Sequence, residues 1–63
     1  MATAQPKAAD AHAVLGELYL RKKDTGRAIG AFDKAIELKP DFAAAFFGRA
    51  LAYQERADPE KAA

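Results

Sequence analysis

Residues 15–40 read LGELYLRKKDTGRAIGAFDKAIELKP, and two helices joined by a tight turn can be bounded within that stretch. On its N-terminal side Leu15, Leu18 and Tyr19, with Val14 just before them, recur at three- and four-residue spacing, the pattern of an amphipathic helix. Arg21, Lys22 and Lys23 close this helix, with positive charge set against the negative end of its dipole. Asp24 is a good N-cap for the next one, because its carboxylate can accept from the first free backbone amides. Ala28, Ile29, Phe32, Ala35 and Ile36 then form a second apolar stripe that reaches about Leu38. Pro40 stops it, since the residue before a proline is pushed out of helical backbone geometry.

Outward from this core stretch, the first helix begins at about Pro6, where a missing amide hydrogen costs nothing, and runs to Lys22. Beyond Pro40, Asp41 is expected to cap a third helix that continues to about Arg56. Asp58, Pro59 and Glu60 repeat the pattern of a helix start, but few residues follow. A single turn costs more to nucleate than it returns, so a fourth helix is expected to fray.

A shift of 34 residues lays parts of the chain on itself: Tyr19 falls on Tyr53, Asp24 on Asp58 and Ala28 on Ala62, while Arg27 matches Lys61 in charge. A period of that length is the mark of stacked helical hairpins. The set Leu15, Gly16, Tyr19, Ala28, Phe32, Ala35 and Pro40 resembles the tetratricopeptide repeat at every spacing that family uses. His12 stands where the family usually has a large aromatic residue. The resemblance implies an all-α fold, an antiparallel helical hairpin plus a third helix, as one domain over residues 1–63. Residues 9–42 would be a complete repeat and 43–63 part of a second. That second unit matches more loosely, with Phe46 in the place of His12, Arg49 for a leucine, Ala50 for the glycine and Ala57 where the turn often has glycine. Tyr53 keeps its place.

Composition agrees with helix and narrows the function. Alanine is the commonest residue, valine appears once and isoleucine twice, poor material for a sheet. Ten basic and nine acidic side chains leave a formal charge of +1, which gives no electrostatic reason to bind nucleic acid or an acidic membrane. The first seven residues have no apolar run of a secretory signal, and the uncharged stretch from Phe42 to Gly48 is far too short to span a bilayer. A cytoplasmic location is the expectation. There is no cysteine and one histidine; no disulfide, metal or cofactor is expected, and no nucleophile or phosphate-binding motif suggests an enzyme.

The third helix carries an excess of apolar surface. Phe42, Phe46, Phe47, Leu51 and Tyr53 surround its axis among alanines, with Arg49 the one charge between Asp41 and Glu55. A helix apolar on every side is usually buried on every side, and one hairpin cannot cover it. A chain this short also has little core of its own. Two explanations meet this: the sequence is a piece of a longer array, or it self-associates through the third helix, for instance by exchange about Lys39, Pro40 and Asp41.

The resemblance also implies a concave surface lined by the first helix of each repeat, where a peptide or helix of another protein docks. Its positions here are Asp10, Ala13, Glu17, Leu20 and Arg21 in the first repeat, with Ala44, Phe47, Gly48, Leu51 and Gln54 in the second. One subgroup of the family grips a C-terminal carboxylate with basic and amide side chains. Ala13, Glu17, Ala44 and Gly48 stand at those places and supply no such donors, so a chaperone tail is not the expected ligand. An amphipathic helix carrying a basic residue near Asp10 and Glu17 suits the surface better. The expected function is therefore an interaction module, a scaffold or adaptor; the alternative is a homo-oligomeric repeat unit whose main partner is itself.

Overall fold

The computed structural model describes residues 6–57, which form α1 (Pro6–Arg21), α2 (Thr25–Leu38) and α3 (Ala43–Ala57), with no strand among the described residues. Short connections fold successive helices back on one another. The hairpin of α1 and α2 makes the most extensive contact, α3 lies along α2, and it touches α1 over a smaller area. The helix start expected at Asp58 lies outside the described residues.

The first corner is closed by backbone geometry rather than by charge alone. Lys23 adopts a left-handed φ of 68°. Its amide donates to the Leu20 carbonyl at 2.9 Å and the Asp24 amide donates to the Tyr19 carbonyl at 2.9 Å, the paired closure that satisfies the free carbonyls of a helix end. Of the three basic residues expected to close the helix, Arg21 alone lies in its last turn. Asp24 then serves α2 as its N-cap, with Oδ1 accepting from the Arg27 amide at 3.4 Å and its carbonyl accepting from the Ala28 amide at 3.0 Å. One residue thus ends one helix and begins the next.

The second corner differs from expectation. Asp41 does not occupy the cap; it lies with Pro40 in the turn, and α3 begins two residues later at Ala43. The Phe42 amide donates to the Lys39 carbonyl at 3.0 Å, and the Phe42 carbonyl accepts from Ala45 and Phe46 at 3.1 and 3.2 Å. The Lys39 ammonium lies 5.1 Å from the Phe42 ring centroid, which helps to hold this turn.

The core is made of small residues around one large one. Ala9, Ala13, Ala28, Ile29, Ala35, Ala45 and Ala52 are buried, and Phe32 is the large side chain sealed among them at 1% exposure. Gly16 and Gly48 are buried beside it. A Cβ placed on Gly16 would lie 2.7 Å from the tip of the Phe32 ring, and one on Gly48 would lie closer still. The ring therefore occupies a notch between α1 and α3 that exists because neither glycine has a side chain.

This packing corrects the face assigned to α1. Of the expected apolar stripe, Val14, Leu15 and Leu18 are 53%, 42% and 46% exposed, while Tyr19 is half-buried against the core. Ala9, Ala13 and Gly16 face inward instead. Close approach of the helices selects side chains by size, so Val14, Leu15 and Leu18 lie outside the closest contact.

The notch makes a directional prediction. Glycine to alanine inside a helix normally gains about 1 kcal/mol, and nothing lies within 4 Å of a Cβ at Gly30, so Gly30→Ala should raise the thermal midpoint. Gly48→Ala forces the sealed ring toward Gly16. Overpacking costs about 1–3 kcal/mol, and this variant should lower the midpoint despite its better helix propensity. Lys23→Gly, which relieves a left-handed side-chain penalty of about 1 kcal/mol, should raise it. Thermal unfolding followed by far-ultraviolet circular dichroism checks all three.

Candidate functional site: the groove between α1 and α3

Because α1 and α3 meet over so little area, a concavity of about 340 Å³ opens between them. Glu17, Leu20 and Arg21 form its α1 wall. Ala44, Phe47 and Leu51 form the α3 wall, with Gly48 and the Phe32 ring at the floor. The two walls follow from helical spacing: Glu17, Leu20 and Arg21 share one side of α1, and Ala44, Phe47 and Leu51 share one side of α3. The same absence of side chains that admits Phe32 leaves this space open above it.

The other positions carried over from the resemblance lie elsewhere. Asp10 and Gln54 are exposed but do not line the concavity. Ala13, expected on the groove, is 7% exposed and belongs to the core, because the small face of α1 is the one that turns inward. Among the residues placed as structural, Gly16, Ala28, Phe32 and Ala35 are buried. Tyr19 is half-buried against the core, Pro40 lies in the second turn, and Tyr53 is 47% exposed on α3.

The site is asymmetric in character. Its α3 wall is apolar, and Phe47 at 68% exposure is the most open large apolar side chain among the described residues. Its α1 wall carries the carboxylate of Glu17 and, one turn along, the guanidinium of Arg21. Such a surface can seat an apolar side chain and offer an ionic contact at its edge. Among the described residues no group of three or more side chains is placed to hold a metal ion, and no helix is long and apolar enough to cross a membrane.

Arg49 plays a part that sequence reasoning missed. Its Nη1 donates to Asp33 Oδ1 on α2 at 2.8 Å, and its guanidinium lies 5.4 Å from the Phe46 ring centroid. The pair ties α3 to α2 beside the notch and helps fix the angle of the α3 wall. In the sequence Arg49 was visible as a departure from a leucine; its partner is 16 residues away and is found once the register of α3 on α2 is known.

Three stacked helices with a small-residue contact and a concave face define a helical-repeat protein. The chain belongs to the tetratricopeptide repeat family: a family model described as TPR repeat matches residues 16–56. That places it with protein-interaction and scaffold modules, a family that is generally non-catalytic. Neither a curated protein nor a solved structure gives a significant match.

The Asp33–Arg49 bond is part-exposed, so its contribution should be about 0.2–1 kcal/mol. A double-mutant cycle of Asp33→Asn and Arg49→Ala in urea unfolding should return a coupling in that range, falling as salt is added. A coupling near zero would show that the notch alone positions α3.

Proposed function

We propose that this chain is an adaptor that docks a short amphipathic helix or peptide of another protein in the groove between α1 and α3, acting in the cytoplasm. The observation that carries this reading is Phe47, open to solvent beside Leu51 on the wall of a concavity with a sealed aromatic floor. An apolar side chain of the ligand would lie between Phe47 and Leu20, and a basic side chain would meet Glu17. Asp10 and Gln54, exposed on the same two helices, would extend the contact along the ligand. Residues 9–42 act in this reading as a complete repeat and 43–63 as part of a second.

A second reading is supported by a different observation. Phe46 and Tyr53 are 41% and 47% exposed on α3, outside the groove, and a domain of this size gains stability from any partner that covers such a surface. Here the chain is a self-assembling unit, by surface pairing or by exchange of α3 about the Lys39–Pro40–Asp41 turn.

The two readings separate by experiment. Panning a library of displayed helical peptides on the immobilised chain should enrich amphipathic sequences with a basic residue next to the apolar anchor. Phe47→Ala and Leu51→Ala should each weaken an enriched peptide at least about tenfold, the loss of one buried apolar anchor, with mass in solution unchanged. Enrichment that ignores both substitutions would reject the adaptor reading, and a mass above that of one chain that falls on Phe46→Ala or Tyr53→Ala would favour self-assembly.

A further inference from the structure

The walls and floor of the groove all belong to residues 17–51, so its shape is set within the three described helices. Phe32 lines the concavity although it is 1% exposed. The atoms it holds closest to Gly16 and Gly48 are Cζ, Cε1 and Cε2, the tip of the ring. Phe32 extends from α2 into the contact between α1 and α3, so this tip points toward the groove that lies between those two helices. A ligand side chain that reaches the bottom therefore meets the C–H edge of a benzene ring framed by two glycines, not its face.

An aromatic edge is electropositive and an aromatic face electronegative, so rings set edge to face attract beyond the area they bury. An aliphatic anchor would bury area against Leu20 and Phe47 but gain nothing further from this floor. The walls add an order of charge. On α1, Asp10 and Glu17 are followed by Arg21, Lys22 and Lys23, all exposed, so this side passes from acidic to basic toward the C-terminal end of the helix. Glu17 and Arg21 lie about 6 Å apart along the axis, and among the described residues neither is engaged in an ion pair. Ala44, Phe47 and Leu51 on the α3 wall carry no charge, so α1 alone gives the groove its polarity.

We infer that the partner segment is anchored by an aromatic side chain whose ring face rests on the edge of Phe32. A basic residue of that segment lies on the Glu17 side of the anchor, and an acidic residue lies on the Arg21 side. Phe32 is then a specificity-determining residue as well as the centre of the core. The two glycines that seat its ring also leave its tip within reach of a ligand. This ligand chemistry rests on the adaptor reading, and the experiment separates the two.

Peptides enriched on the immobilised chain should share an aromatic residue with a basic side chain on one flank and an acidic one on the other. In a synthetic peptide of that sequence, replacing a phenylalanine anchor by cyclohexylalanine keeps the carbon count and makes the ring more apolar. Affinity should nevertheless fall about 2- to 10-fold, the aromatic share of the contact. The Phe32 Hζ resonance of the unaltered chain should move upfield with the phenylalanine peptide, because that proton then lies over a ring face, and should not do so with cyclohexylalanine. Glu17→Lys combined with Arg21→Glu changes two exposed side chains, so helix content should hold while the charge order of the enriched peptides reverses. No enrichment, or enrichment indifferent to Phe47→Ala, would remove the adaptor reading and this ligand with it. Peptides that need Phe47 yet prefer an aliphatic, methionine or cyclohexylalanine anchor, leave the Phe32 resonance in place, or keep their charge order against the swapped wall would overturn the proposed ligand and leave the adaptor standing.

Discussion

The Phe32 ring reaches the space between α1 and α3 because neither Gly16 nor Gly48 carries a side chain. It comes from α2 and touches both neighbours, so it fixes the spacing of the hairpin and the seating of the third helix together. With Phe32 the large residue at the centre of a core otherwise built mainly of alanine, little other apolar mass is available to hold three helices in one arrangement. Deletion of a buried phenylalanine side chain costs about 3–5 kcal/mol, comparable to the whole stability expected of a core this small.

A core of small residues has a consequence at the surface. Where the helices approach most closely they bury alanine and glycine, and many of their larger apolar residues lie outside that contact. Val14, Leu15 and Leu18 on α1 and Phe46, Phe47, Leu51 and Tyr53 on α3 are all more than a third exposed. In an isolated domain that much open apolar surface is unusual. The packing that stabilises the hairpin and the open apolar surface are thus two results of one choice of residue size.

The division of α3 into three faces reconciles demands that otherwise compete. Ala45, Gly48 and Ala52 contact the hairpin, Ala44, Phe47 and Leu51 line the groove, and Ala43, Phe46, Ala50, Tyr53 and Ala57 run along the remaining side. Arg49 sits at the boundary between the buried face and that remaining side, and its bond to Asp33 anchors the helix there. A helix so placed can be held by its own chain while offering two other sides.

The three helices, their order, the turn at Asp24 and the stop at Pro40 were legible from Leu15 to Pro40, because caps, prolines and the period of apolar residues are local and each acts within a turn or two of backbone. The repeat at 34 residues carried the family as well, and the family's spacing placed Glu17, Leu20, Arg21, Ala44, Phe47 and Leu51 on the surface that proves to be concave. Periodicity did not choose the inward face of α1, because alanine lies on all its sides and hydrophobicity counts do not register how near a neighbour will come. Nor did it find that Ala13 is core, that Phe42 rather than Asp41 precedes α3, or that Arg49 reaches Asp33. Those were decided by the distance between helices, which depends on side-chain volumes at Gly16, Phe32 and Gly48, residues far apart in sequence that meet after the chain has folded back twice.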